Sequence, residues 1–289
     1  MVSIIVPVLN RRDVIMETLE SVRTQTYTPM ELLVVDDGSS DGTADGVAGW
    51  IEVHPGTRGS LIRFEKNVGK CAAVNAGMER ASGEYLMVLD SDDVLLPDTI
   101  AREVEFLREH PDCGMVFGRA FVLRDGRRTA ETLGMFGGEK LIADVKSFHG
   151  DLLFNGNVVI SSSALMRHAL VRELGPLNVN LRHAHDWEYW IRMSRIAHIG
   201  FLEGPLIYYR VASAGALSAN RLGLLREAVG LLKAERHAVD ARVYFRALKK
   251  ETKEALWLAY HDGNLGQCFA ICWFALRVGF QEIRRSHRQ

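Results

Sequence analysis

Apolar positions along the chain fall into two alternating kinds of run. Residues 2–8 (VSIIVPV) are β-branched and apolar on both faces, which predicts a strand covered by helices on each side of a parallel sheet. Residues 10–26 change to helical spacing, with Asp13 as the expected N-cap and Ile15, Leu19 and Val22 as the buried stripe. Residues 31–35 predict a second buried strand, closed by Asp36, Asp37, Gly38, Ser39, Ser40, Asp41 and Gly42, a run of turn formers. The same reading gives helices over 43–53 and 70–81 and strands over 61–65 and 85–89. It continues with a helix over 97–109 that opens on Pro97 and turns Ile100, Val104 and Leu107 inward. A strand over 115–123, a turn at Asp125 and Gly126, a helix over 148–154 and a strand over 158–166 follow. Helices over 167–174 and 185–196 and a strand over 199–211 complete the alternation. This order predicts an α/β fold, a right-handed, doubly wound, mostly parallel sheet flanked by helices, with ligands at the carboxyl ends of the strands.

From Leu222 onward the composition shifts to Leu, Ala, Glu, Lys and Arg at helical spacing. The expected organisation is therefore an α/β domain over 1–218 and a C-terminal helical appendage over 219–289. With 289 residues, 47% hydrophobic and 25% charged, the chain has ample material for a core. A net charge of -1 offers no global attraction to nucleic acid, which is not expected as a partner. Cys71, Cys113, Cys268 and Cys272 show no paired framework, which suits a reducing cytoplasm. The amino terminus lacks the basic region and long apolar core of a secretion signal, and it reads as a strand. Residues 265–280 contain Gln267 and Arg277, so even the most apolar stretch falls short of a membrane span.

Chemistry concentrates where strands end. The run LMVLDSDD delivers Asp90, Ser91, Asp92 and Asp93 to one sheet edge, and carboxylates gathered this closely repel one another unless a cation offsets them. Hard oxygens suit Mg²⁺ or Mn²⁺, and the expected ligand is a metal-bound phosphate. The loops after Val6, Val35 and Leu89 converge by topology on one crevice. There Asp37 is placed to accept a hydrogen bond from a base imide, residues 7–10 to flank the base, and Asp90 with Asp92 to hold ribose and metal. Asp36 and Asp37 also read simply as turn formers. Asp186 opens a helix on the side of Tyr189 and Trp190. With Trp187 these aromatics are acceptor-side candidates, although an acidic residue in a first turn also serves the helix dipole. His183 and His185 have the spacing of a metal pair or of two solvent-facing side chains. No G-x-x-x-x-G-K-[ST], G-x-G-x-x-G or G-x-S-x-G stands where a P-loop, a dinucleotide oxidoreductase or an esterase needs it.

These residues stand in a recurring order: VSIIVPVLN, the QTY stretch, ELLVVDDGSSDGT, KNVGKCAAVNAGMERASGEYLMVLDSDD, HDWEYWIR and YYRVASAGALS. In that order and spacing the chain resembles the family 2 glycosyltransferases, inverting enzymes of the GT-A fold, over about residues 2–218. The resemblance implies a transferase of the hexosyl class that works in polysaccharide or glycoconjugate biosynthesis. It implies that Asp37 reads the base of a nucleotide-sugar, a UDP-sugar being favoured, beside Pro7, Val8 and Asn10. It implies that Asp90, Ser91 and Asp92 form the Asp-x-Asp motif, with Asp92 and Asp90 toward Mn²⁺ or Mg²⁺. Lys70 and Asn75 fall where phosphate or ribose is approached, and Asp186 matches the catalytic base. The acceptor implied is a carbohydrate or a lipid-linked hydroxyl. A histidine common after the Tyr-Arg pair is replaced by Val211 and Ala212, leaving His183 or His185 as substitutes in a metal shell. The stretch 265–280 with Arg284, Arg285, His287 and Arg288 reads in two ways. One is an interfacial helix at the inner face of the membrane, and the other is a helix packed on the catalytic domain or across a homodimer. A nucleotidyltransferase of similar fold, whose Gly-rich loop is missing from LNRRD, and a catalytically silent nucleotide-sugar-binding module are the alternatives.

Overall fold

β1 (Val2–Val8) is buried along its whole length and forms the middle of a parallel sheet. It pairs with β2 (Met30–Asp36) on one side and β4 (Tyr85–Val88) on the other, and β2 pairs with β3 (Gly59–Arg63), all in parallel. The crossovers are α1 (Ile15–Arg23), α2 (Thr43–Val53) and α3 (Lys70–Arg80). α3 packs closely on the sheet because Gly77 has no side chain. A Cβ there would meet Ile5 Cγ2 at 2.5 Å.

Beyond β4 the pairing becomes mixed. β8 (Ala164–Arg167) joins β4 antiparallel, and β6 (Cys113–Arg124) joins β8 antiparallel. β9 (His198–Arg210) then runs parallel to β6. β5 (Val94–Leu95) pairs with β9, and β7 (Arg127–Leu133) with β6, both antiparallel. Among the described residues the sheet has nine strands in the order β3-β2-β1-β4-β8-β6-β9-β5, with β7 beside β6. α4 (Thr99–Glu109), α6 (His168–Leu174) and α7 (His185–Ile196) complete the layers, and α5 (Val145–Asn155) lies between β7 and β8 along the chain. Val2, Ile4, Val6, Leu32, Val34, Met87 and Leu165 form one core with Leu19 of α1 and Val104 of α4. Each such side chain contributes about 1.5–3 kcal/mol by burial.

The computed structural model describes residues 1–134, 145–211, 220–235, 241–261 and 263–286. The chain divides into one unit of Met1–His149 with Asn157–Ala212 and another of Gly150–Gly156 with Ser213–Gln289. In the second unit α8 (Arg221–Ala234), α9 (Ala241–His261) and α10 (Leu265–Ser286) enclose Leu225, Val229, Ala255, Ala259, Ile271 and Val278. Asn220 caps α8 by accepting a 2.9 Å hydrogen bond from the Gly223 N–H. Among the described residues no helix is long and apolar enough to cross a membrane.

Several elements depart from the sequence reading. α1 begins at Ile15, its N-cap is Val14 without a side-chain bond, and Asp13 is exposed. The reason is that the N–H groups of Asn10, Arg11 and Arg12 bond to Ser39, Thr43 and Asp41 instead of entering a helix. The strand expected over 158–166 shrinks to β8, because Ser161–Ser163 forms a 3₁₀ turn in which Ser163 Oγ donates to the Gly118 carbonyl. β5 is too short to show a period, and β7 is a polar edge strand without apolar alternation. Of the YYRVASAGALS stretch, residues 212–218 lie outside the described residues.

Candidate active site

The loop after β2 is held from both sides. Asp36 accepts a 2.9 Å bond from the Ser39 N–H, and the Asp37 N–H donates to the Val8 carbonyl at 2.8 Å. Asp37, 3% exposed, accepts from the N–H groups of Val68 at 2.7 Å and Gly69 at 3.0 Å. Gly38 has φ +79°, and a Cβ there would lie 2.6 Å from the Lys66 carbonyl carbon, so only glycine lets the two loops pass. Asn10, itself left-handed at φ 51°, accepts from the Ser40 N–H at 2.9 Å. Pro7 and Val8 are buried at the end of β1. Asp37, Pro7, Val8 and Asn10 thus meet at one sheet edge, as topology requires.

The acidic loop follows β4 at the same edge. The Asp90 N–H donates to Ser162 Oγ at 3.1 Å, and Thr18 Oγ1 of α1 donates to the Asp93 carbonyl at 2.8 Å. Lys70 Nζ, from the first turn of α3, lies 2.5 Å from Asp90 Oδ1. Arg11 Nε approaches Asp92 Oδ2 at 3.6 Å. Arg210, at the end of β9, fastens the loop from a third direction. Its N–H donates to Asp93 Oδ1 at 2.9 Å, its Nε donates to the Asp92 carbonyl at 2.8 Å, and its guanidinium pairs with Glu17 at 2.6 Å. Ser91 is buried between these anchors.

The electrostatics follow from crowding. Burial and then the Asp90 charge raise Asp92 above the ordinary carboxylate value, against Arg11 and Lys70. Burial lifts Asp93 well above it too, with Asp90 and Asp92 adding and hydrogen bonds from Ser162 and Arg210 opposing. Burial opposes the Lys70 charge, yet the carboxylates of Asp90, Asp186 and Asp93 hold its ammonium above the usual lysine value. Burial and the three loop carboxylates push the Tyr209 phenol upward as well. His185 is lowered by burial while Asp186 and Asp90 oppose the shift.

Asp186 sits in the first turn of α7 with its carboxylate fixed. Asn157 Nδ2 donates to Oδ2 and the Trp187 N–H to Oδ1, each at 2.8 Å. Lys70 and His185 both respond to Asp186 and to Asp90, so the base candidate and the acidic loop share one neighbourhood.

The Asn75 amide is occupied by the Leu177 backbone, donating to its carbonyl at 3.0 Å and accepting from its N–H at 2.8 Å. Asn75 thereby ties α3 to the chain leading to α7. Trp187, Tyr189 and Trp190 are each 3% exposed or less. Among the described residues no cluster of three or more His, Cys, Asp or Glu side chains is preformed around a metal position. Sequence reasoning missed Arg11, Ser162, Tyr209, Asn157 and Arg210. Arg11 stands in LNRRD, and Tyr209 and Arg210 in the YYRVASAGALS stretch, but neither motif gave them these roles.

Residues 3–175, more than half of the chain, match the family model described as Glycosyl transferase family 2. The glycosyltransferase YwdF of Bacillus subtilis (strain 168) is 26% identical over 242 residues, covering 82% of this chain and 84% of that protein. The structure of S. aureus TarS 1-349 in complex with UDP-GlcNAc superposes with a TM-score of 0.64 at 19% identity, over 86% of this chain and 71% of that one. The mannosyltransferase PcManGT from Pyrobaculum calidifontis, in complex with GDP-Man and Mn²⁺, gives a TM-score of 0.64 at 21% identity, over 98% and 82%. The curled, mixed α/β sheet with its flanking helices is the architecture of such GT-A enzymes, as the family resemblance implied. A nucleotidyltransferase is thereby set aside, and the chain belongs to glycosyl transferase family 2 and is a glycosyltransferase.

Proposed function

We propose that this enzyme moves a sugar from a nucleoside-diphosphate donor to an acceptor hydroxyl with inversion at the anomeric carbon. The observation that carries the reading is the Lys70–Asp90 ion pair at 2.5 Å together with the Asp186 carboxylate held in the first turn of α7 by Asn157 and the Trp187 N–H. Asp186 takes the proton of the acceptor hydroxyl as the new oxygen–carbon bond forms. The bond from the anomeric carbon to the phosphate oxygen breaks, and its electron pair leaves with the nucleoside diphosphate. Attack opposite the leaving group inverts the centre in one displacement. Lys70 and Arg11, beside Asp90 and Asp92, offset charge on the departing diphosphate.

Asp37 receives the base imide N–H, with Pro7, Val8 and Asn10 flanking the ring. Each carboxylate oxygen keeps an acceptor site beyond its bond to Val68 or Gly69. The acidic loop fits a divalent cation, Mn²⁺ or Mg²⁺, since Asp90, Asp92 and Asp93 repel one another and a cation relieves that repulsion. Asp92 with Asp90 would hold it, and the substrate phosphates would supply the remaining oxygens. When bound, such an ion neutralises negative charge on the diphosphate. UDP-GlcNAc in TarS and GDP-Man with Mn²⁺ in PcManGT support this choice of donor class and ion. A UDP-sugar is the favoured donor, and a carbohydrate or lipid-linked hydroxyl in the cytoplasm is the acceptor. Catalysis is assigned to residues 1–218, leaving 219–289 outside the chemistry.

Asp186→Asn tests the base. Transfer falls by about 10² to 10⁴ while nucleotide-sugar binding, measured by calorimetry, is retained. A fully active variant removes Asp186 from this role. A panel of UDP- and GDP-sugars with Mn²⁺ tests the donor class, which is overturned if none is transferred or hydrolysed.

A further inference from the structure

The charge of the chain is divided unevenly along its length. Residues 219–289 carry thirteen Lys and Arg against seven Asp and Glu, a net of +6, although the whole chain stands at -1. Residues 1–218 are correspondingly acidic. The basic segment also carries large apolar side chains in the open. On α10, Leu265, Phe269, Trp273 and Leu276 recur at intervals of four, four and three, which puts them on one helix face. Phe269 is 83% exposed and Trp273 64% exposed. On α9, Phe245, Lys249, Lys253, Trp257 and Tyr260 recur at four, four, four and three and are likewise exposed, so aromatic and cationic groups share a face. Trp257, Tyr260, Leu265 and Phe269 flank the turn between the two helices. A groove of about 420 Å³ beside this face is lined by Phe245, Leu256 and Phe274 together with Lys249 and Lys253.

We infer that the α9–α10 hairpin is the surface on which the enzyme docks to an anionic lipid bilayer, lying in the headgroup region without spanning it. An exposed apolar stripe of this kind is expensive in water, and aromatic residues mixed with lysines are the composition that interfaces favour. Charge selects the occupant. A second copy would bring two sets of Arg246, Lys249 and Lys253 together, whereas an anionic leaflet attracts each of them by about 1 kcal/mol near the surface. Docking puts the enzyme where a lipid-linked acceptor resides. The inference concerns where the enzyme works, and its test is separate from that of the donor.

The full chain is sedimented with phosphatidylcholine vesicles and with vesicles containing phosphatidylglycerol, at low and high salt. The wild type is expected to partition onto the anionic vesicles and to be released by salt. Phe269→Glu with Trp273→Glu, and separately Lys249→Glu with Lys253→Glu, should each lower that partitioning at least about ten-fold. Circular dichroism and donor hydrolysis should be unchanged in both. Quenching of tryptophan fluorescence by brominated lipid in the wild type gives a readout that needs no variant, and it should accompany binding. The inference is overturned if the wild type ignores anionic vesicles, if the apolar pair of substitutions leaves binding intact, or if quenching is missing. It is also overturned if light scattering shows a wild-type dimer that the apolar pair converts to monomer.

Discussion

Glu103 shows how single residues set the character of this protein. It lies wholly buried on α4, and neither carboxyl oxygen has a hydrogen-bond partner among the described residues. Burial lifts its carboxyl well above the ordinary value of 4.5, so the native state holds it protonated where the unfolded chain would not. Its contribution to stability is therefore complete below pH 4.5 and is lost as pH rises toward the folded value. Glu103→Met should stabilise the protein by about 1–3 kcal/mol at neutral pH and flatten the decline above pH 4.5, as read by urea denaturation across pH. At the active site Arg210 is a positioning residue. Arg210→Ala frees the Asp92 carbonyl and Glu17, and it should raise the Mn²⁺ concentration for half-maximal transfer by about 10–100-fold. The acidic residues were legible in the sequence because a buried strand that ends in carboxylates is rare in any other context. Ser162 and Asn157 were not, since each reaches the site by tertiary contact and carries no local pattern, and the motifs holding Arg11 and Tyr209 gave no hint of their contacts.

Among the elements, α3 connects the site most widely. Its first turn supplies Lys70, Asn75 in its second holds the Leu177 backbone, and Gly77 sits against Ile5 of β1. Gly77→Ala should cost about 1–3 kcal/mol by overpacking, measured by thermal denaturation. Asn75→Ala should lower kcat while leaving the donor KM in place, because the amide positions the chain leading to α7 and does not bind phosphate. A raised donor KM with normal kcat would return Asn75 to the phosphate. The parallel half of the sheet was readable because strands buried on both faces are continuous apolar runs. The mixed half was less so. β5 has two residues, β7 is polar at an edge, and the serines at 161–163 interrupt what looked like one long strand. The early start expected for α1 failed for a related reason, since its first N–H groups found partners in the loop after β2.

At the scale of the whole molecule, loops from β1, β2 and β4 and the first turns of α3 and α7 deliver a base-side carboxylate, an acidic loop, two cations and a fixed aspartate to one sheet edge. The meeting of the loops after β1, β2 and β4 was foreseeable from the alternation of strands and helices, whereas the places of Arg11 and Asp186 were not. The division of charge between an acidic α/β part and a basic helical part shows only when the two are counted separately. If the acidic loop works with a divalent cation, chelation by EDTA should abolish transfer and added Mn²⁺ should restore it. The central claim is a single displacement at the anomeric carbon with Asp186 as base, and the configuration of the product tests it most directly. With an α-linked nucleotide-sugar as donor, proton NMR of the transfer product should show a β-glycoside, formed by the wild type and not by Asp186→Asn. An α-linked product would contradict the account.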